Sequence, residues 1–403
     1  MVGDLPTNDK LNISPLDHVR RASWLDKERV RAYAMIYFVV SLGMIANTYV
    51  KAMGGVGSDF LAFWGAAKIT LTQGAAATYD IAAQTAVQAS TGFDKVFAFV
   101  NPPPFLFAVT PFGALPYPVA WIAWVVTTFA IWFAISRSVA PRFWPLILAY
   151  PGAMIAASHA QNGLLTGALL VGGVALAGKR PWLSGAMIGA LVIKPHLAVL
   201  LPFWLAAGGK WKAFIAAGIS ATGLLALSWL VFGTDTMLAY TTSWEKSAIL
   251  MAQDDDEFFL RMATLYGQLR VWPGHEIALA ANALTALGMI VMVWLSWRRF
   301  NGDIAATGAL ALAATPLASP YLFNYDIAFL ILPTLWLVAE ARDREAGFRA
   351  WDKAVLLVLW LSPFVTRAIA LPLHLNLMPV ASAAMVWLIW KRAAQLDIKK
   401  TSS

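Results

Sequence analysis

GGVGSDFLAFWGAAKITLTQGAAATYDIAAQTAVQASTGFDKVFAFVNPPP, residues 54–104, is the first long interruption of a very apolar chain. Behind Ser58 and Asp59, the residues Phe60, Phe63, Trp64, Ala67 and Leu71 recur at helical spacing, which predicts an amphipathic helix beginning at Asp59. Ser58 or Asp59 is an N-cap by residue type, and Gly74 is a stop. A second short helix is expected over residues 81–90, capped by Asp80 and closed by Gly92. A helix with an aromatic stripe, set between two hydrophobic runs, is expected to lie in a membrane interface rather than to cross it. On this reading one carboxylate, Asp59, is held at headgroup depth, where a lipid-borne substrate presents its polar end.

Working outward, the composition places this stretch in a membrane protein. Of 403 residues 59% are hydrophobic, only 13% are charged and 19 are Trp, and the mean hydropathy is +0.64. Soluble domains carry roughly 25% charged residues. The polar first 30 residues hold no short apolar core, so no removable signal peptide is expected. The chain has no cysteine, which excludes disulfides, thiolate metal sites and cysteine nucleophiles.

The formal net charge of +8 calls for no nucleic-acid partner, because it follows from loop asymmetry. Basic residues cluster at 20–31, 137/142, 179/180, 210/212, 298/299, 342–353 and 391–400, whereas segments 51–101 and 233–276 are neutral or acidic. The positive-inside rule puts the basic clusters in the cytoplasm and the two long segments on the other side. That pattern predicts a cytoplasmic N-terminal segment 1–33, one transmembrane domain 34–391 and a cytoplasmic tail 392–403. The spans fall at about 34–50, 117–136, 143–158, 162–178, 183–193, 196–208, 211–232, 276–297, 303–318, 322–340, 351–369 and 375–390. Several are shorter than the ~20 residues a lone crossing needs. Segment 103–113 reads as a half-span, since a full crossing there would move every later basic cluster outside. The fold expected is an all-α polytopic bundle of 10 to 13 spans with interfacial helices in the first outer loop.

Polar groups at membrane depth are functional candidates. His159, Gln161 and Asn162 sit at one turn; Lys194-Pro195-His196 breaks an apolar run; Ser319-Pro320-Tyr321 and Asn324-Tyr325-Asp326 make a third junction, and Arg367 with His374 a fourth. The charge pattern puts all of them on the side that carries Asp59. Each also has a structural reading: Asp59 as a cap, the histidines as interface residues, the amides as turn formers. The acidic run Asp254–Glu257 reads as a solvated loop, with a divalent-ion site as the alternative.

Ser58-Asp59-Phe60, Phe63-Trp64, Ala66-Ala67, Gly74 and Tyr79-Asp80 together resemble the opening signature of glycosyltransferase family 87. The resemblance continues at Asn101-Pro102-Pro103-Pro104, Pro111, Leu115-Pro116, Gln161-Asn162-Gly163, Lys194-Pro195 and Ser319-Pro320. Two departures stand out. His159-Ala160 precedes Gln161 where a Gly is expected, and no His follows Ser319-Pro320. The resemblance implies a GT-C type bundle in a bacterial inner membrane whose site faces the periplasm. It also implies an enzyme that moves a sugar, mannose foremost, from a polyprenyl phosphate to a lipid or glycan acceptor among membrane lipids. No cofactor and no metal site are expected.

Such a transfer needs a base for the acceptor hydroxyl and cations for the departing phosphate. Asp59, matching the family's aspartate, is the expected base. Lys194, His196, Arg261 and Arg270 are the expected phosphate-binding cations. Asp80, His159, Gln161, Asn162, Gln268, Tyr321 and Tyr325 are expected around the sugar and acceptor. The competing class is a transporter or lipid flippase, which broken helices with buried charge would also suit; no convincing internal repeat supports it.

Overall fold

The computed structural model describes residues 14–93, 96–252, 255–345 and 347–400. Among these every regular element is helical, and the one β contact is an isolated antiparallel bridge between Met262 and Phe323. The protein is thus an all-α polytopic membrane bundle, as its composition requires.

A short α1 (Pro15–Arg21) precedes α2 (Lys27–Lys51), where Asp26 accepts the Arg29 N–H at 2.8 Å. The helix that holds the expected first span, residues 34–50, thus begins at Lys27; residues 1–13 of the expected N-terminal segment lie outside the described residues. α2 ends in a π turn, Ala52–Val56, in which Gly55 takes φ 100°, followed by Gly57 at φ 71°. Only glycine adopts such backbone at little cost. Next come α3 (Phe60–Thr72), a 3-10 turn Ala75–Tyr79 and α4 (Ile81–Ala89). Gly74 (φ 98°) stops α3, the Asp80 carboxylate accepts the Ala82 N–H at 2.7 Å, and Gly92 (φ 85°) follows α4.

α3 is not the interfacial helix its aromatic stripe suggested. Residues 60–67 and Ile69 are all buried, because residues 75–93 and 96–114 fold over the face that the pattern would leave to headgroups. A Cβ on Gly113 would stand 2.5 Å from the Ala67 carbonyl carbon, so the 3-10 turn Thr110–Ala114 lies directly on α3. Phe63 meets Phe105 edge-on at 4.9 Å and Trp124 at 6.1 Å. The run FLAFWGAA is apolar on every face, and such a helix belongs inside. Segment 103–114, a 3-10 turn, α5 (Leu106–Val109) and a second 3-10 turn, is too short to cross a bilayer alone.

The chain continues through α6 (Tyr117–Val139), α7 (Trp144–Leu148), α8 (Pro151–Ser158), α9 (Gly163–Leu176) and α10 (Pro181–Gly189) to a 3-10 turn Ala190–Ile193. A further 3-10 turn Pro195–Ala198 leads into α11 (Leu201–Ala207) and α12 (Trp211–Phe232). Segment 233–276, expected as a loop, is largely helical: α13 (Thr234–Ala252), α14 (Asp256–Leu260) and α15 (Leu265–Val271). Then follow α16 (His275–Arg299), α17 (Ile304–Ala318), a 3-10 turn Ile327–Leu330, α18 (Ile331–Arg342), α19 (Asp352–Leu373) and α20 (Met378–Lys400).

Among the described residues five helices are long and apolar enough to cross a membrane: α2 with its π turn, α6, α12, α16 and α19. The shorter apolar helices pack among them, where protein rather than lipid meets their broken backbone. α17 (Ile304–Ala318) is buried continuously from Ala306 to its end at Ala318. α10 meets α12 through Gly185 and Gly189, which approach the Ala213 and Ala217 carbonyls too closely for any side chain, the small-residue contact of membrane helices.

The bundle has two chemically different ends. At one, Arg142 holds Asp343 with bonds of 2.5 and 3.2 Å, and the buried set Arg344, Arg392, Glu340 and Asp352 is mutually paired. At the other, the Pro- and Gly-broken junctions meet. α19 runs from Asp352 at the first end to Leu373 at the second, about 33 Å for its 22 residues.

Candidate active site

Asp59 is placed by its neighbour. The Ser58 hydroxyl lies 3.0 Å from the Tyr117 hydroxyl and accepts the Trp121 indole N–H at 3.2 Å, so α6 fixes the start of α3. Asp59 has helical backbone (φ −55°, ψ −26°) and its side chain makes no capping bond. Capping by Ser58 or Asp59 side chains is thereby overturned: a residue already in helical conformation turns its side chain away from the first-turn amides that a cap must reach. The half-buried carboxylate is left to face the junctions of the other helices.

Its charge acts on His159, Tyr321, Tyr325 and Arg367, four residues from three separate parts of the chain. His159 lies at the α8–α9 turn with its ring 5.8 Å from Tyr325. Tyr325 stacks on Phe323 at 5.1 Å, and Tyr321 meets His196 edge-on at 5.3 Å. Arg261 acts on His159, Tyr325 and Arg367 as well. Burial, opposed by Asp59 and reinforced by Arg367 and Arg261, pushes the His159 pKa down to about 4. His159 as a whole residue is only partly buried. Asp59 thus shares one electrostatic neighbourhood with two exposed guanidiniums, Arg261 and Arg367, the His159 imidazole and the Tyr321 and Tyr325 phenols.

Lys194 is not a free cation. Its ammonium lies 2.6 Å from Asp326 Oδ1 and 3.1 Å from Asn162 Oδ1, with the Tyr325 ring at 5.4 Å. The Lys194 and Asp326 side chains are 9% and 0% exposed, so each charge requires the other. Asp326 Oδ2 also accepts the Phe323 N–H at 3.1 Å. The pair ties the α9 start, the break after α10 and the break after α17 into one knot. Gly163 makes the knot possible, since a Cβ there would overlap the Tyr325 carbonyl.

Arg261 is mounted by a second knot. The bridge at Met262–Phe323 is framed by Ala263 N–H to Leu322 O at 2.7 Å and Asn324 N–H to Arg261 O at 2.9 Å. Asn376 secures it, donating to the Leu260 and Met262 carbonyls at 2.9 and 2.7 Å and accepting from the Thr366 hydroxyl at 2.9 Å. The Arg261 guanidinium pairs with exposed Glu257 at 3.0 Å.

Several expected site residues are occupied in holding the fold. Both ends of the Gln268 amide are engaged, its nitrogen on His374 O at 3.2 Å and its oxygen on Asn376 N–H at 2.6 Å, which leaves it little to offer a sugar. Asp80 is an exposed cap. Arg270 packs over Phe259, with 5.0 Å to the ring, and interacts with Tyr266. Gln161 accepts the Asn162 N–H at 3.2 Å, while the buried Asn162 amide nitrogen and His196 Nε2 have no protein partner among the described residues. Of the acidic run, Asp254 lies outside the described residues, Asp255 caps α14 at 3.1 Å and Glu257 is spent on Arg261. Asp326 was named at the third junction but given no role, and Asn376 was missed from the sequence.

The model of glycosyltransferase family 87 matches residues 99–320, more than half of the chain, beginning downstream of Asp59 and ending before Arg367. No curated protein and no solved structure matches.

Proposed function

The chain belongs to glycosyltransferase family 87, and from that premise we propose that it transfers a sugar from a polyprenyl phosphate to a lipid or glycan hydroxyl, with Asp59 as the general base. Family membership makes the protein a membrane glycosyltransferase and sets aside the transporter reading. Mannose is the sugar the resemblance favours, and the loop charges favour a site on the periplasmic side of a bacterial inner membrane.

One observation carries the mechanism. The Asp59 carboxylate caps nothing, yet stands among Arg261, Arg367, His159 and Tyr325 at the meeting of the broken helices. In the reaction the acceptor oxygen attacks the anomeric carbon as the bond from that carbon to the phosphate oxygen breaks. The acceptor proton passes to Asp59, and the bonding pair leaves with the phosphate, so the anomeric configuration inverts. Arg261 and Arg367 meet the growing phosphate charge, the electrostatic share of such catalysis. His159, neutral at physiological pH, together with Asn162 Nδ2, offers hydrogen bonds to sugar hydroxyls. Lys194 and Asp326 hold the walls in register.

The test is Asp59→Asn, measured for both transfer and donor binding on purified protein with a panel of short-chain polyprenyl-phosphate sugars. The variant is expected to fold, bind donor and lose at least about 10²-fold in rate. Because Asp59 makes no capping bond, a folding defect is not expected to cloud the result. Retained turnover would remove Asp59 from the mechanism while leaving the glycosyltransferase assignment intact.

A further inference from the structure

An apolar cavity lies away from Asp59, at the basic end of the bundle. It measures about 820 Å³ and opens between α2, α7, α18 and α19. Five cations surround it: Lys27, Arg31, Arg142, Arg342 and Lys353. Three of them sit at helix ends, since Lys27 opens α2, Arg342 closes α18 and Lys353 lies in the first turn of α19. Below them the walls turn apolar with Trp144, Leu356, Leu361, Tyr37 and Trp360. Tyr37 and Trp360 meet edge-on at 5.4 Å and close the floor. Ten residues of α2 separate Lys27 from Tyr37, about 15 Å along the helix.

The cations are not all committed. Lys353 donates to the Leu25 carbonyl at 2.7 Å, Arg142 is paired with Asp343, and Arg31 lies over the Trp144 ring at 5.4 Å. Lys27 and Arg342 are exposed and form no ion pair among the described residues. Asp26, which also lines the cavity, caps α2. A ring of cations at the end of the spans above an apolar trough is complementary to one kind of ligand: an anionic head followed by a hydrocarbon chain.

We infer that this cavity binds an anionic phospholipid from the leaflet at the basic end, its phosphate beside Lys27 and Arg342 and one acyl chain against Tyr37, Leu361 and Trp360. The site is separate from the transfer site, because Lys353 and Arg367 are 14 residues apart on α19, about 21 Å. An occupant there would fill the space between α2 and α19, and α2 is the helix that leads into Ser58 and Asp59.

The experiment uses native mass spectrometry of the full chain, delipidated and offered dioleoyl phosphatidylglycerol, dioleoyl phosphatidylcholine or a short polyprenyl phosphate. Phosphatidylglycerol is expected to be retained at least about tenfold more tightly than phosphatidylcholine. Lys27→Gln combined with Arg342→Gln should erase that preference, and Leu361→Trp, which fills the trough, should weaken both phospholipids. The double variant alters two exposed side chains outside the transfer site, so sugar transfer should be unchanged in it. Equal retention of the two phospholipids, or a preference the double variant does not reduce, would overturn the inference. So would tighter retention of the polyprenyl phosphate that is lost in these same variants, which would make the carrier lipid the occupant.

Discussion

Lys194 and Asp326, 132 residues apart in sequence, form a buried ion pair at 2.6 Å on which three helix junctions converge. The sequence alone offers Lys194 as a cation for phosphate; the pairing makes it a tie within the fold. Removing one partner strands the other charge in a site that excludes water. Lys194→Met should therefore destabilise the protein by about 3–5 kcal/mol, read as earlier unfolding in a denaturant or thermal series in detergent. Lys194→Met combined with Asp326→Leu should recover much of that loss, since an apolar pair replaces the ionic one. A Lys194→Met protein of undiminished stability with poorer use of donor would return Lys194 to the phosphate site.

Arg261 is expected to act on the donor. Arg261→Gln should lower kcat/KM for the lipid-linked sugar by roughly 10²-fold and leave unfolding unchanged, because Asn376 anchors the backbone there through the Leu260 and Met262 carbonyls. Glu257→Gln breaks the exposed ion pair with Arg261, a class of contact contributing about 0–1 kcal/mol, and should leave transfer near normal. Kinetics in which the Glu257 variant is the more damaged would mean that the ion pair, not the free guanidinium, is what the site uses.

His159 should make the protein sensitive to acid. Its folded pKa is held down to about 4, mainly by burial, against about 6.5 for a free imidazole. Above pH 6.5 both folded and unfolded forms are neutral and the residue has no pH effect. As pH falls from about 6.5 to about 4 the unfolded chain takes up a proton that the folded chain refuses, so stability falls across that window. His159→Gln should flatten this part of a melting-temperature profile, and the activity profile of the native protein should lack an imidazole inflection between pH 5 and 8. An inflection near 6.5 that the Gln variant abolishes would show a solvated, titrating His159.

The two chemical ends of the bundle should lie on opposite sides of the membrane. Compartment reporters fused after residues 75 and 255 are expected to be periplasmic, and reporters after residues 300 and 345 cytoplasmic. The 300 and 345 sites follow Arg299 and Arg344 at the basic end, whereas residue 75 follows α3. A cytoplasmic signal at residue 75 would place the Asp59 site inside the cell.

Local signals were sufficient for much of the chain. Gly74 and Gly92 end their helices and Asp80 caps α4 as residue type dictates, because caps and left-handed turns depend on a few adjacent residues. Hydrophobic content fixed the membrane class, and the breaks at 159–162, 194–196 and 319–326 were readable as polar or Pro-bearing interruptions. The partners of these residues were not readable. The stripe on α3 predicted a helix with one face in lipid headgroups, but residues 75–93 and 96–114 return to cover that face, a matter of long-range packing. Gln268, Asp80 and Lys194 are the residue types that bind sugars and phosphates, yet their bonds go to Asn376 and His374, to Ala82, and to Asp326. Whether a buried polar group serves a ligand or the fold depends on what stands within about 3 Å of it. That distance is set by chain segments a hundred residues away, so only the tertiary structure could leave Asp59 without a capping bond, acting on Arg367, and tie Lys194 to Asp326.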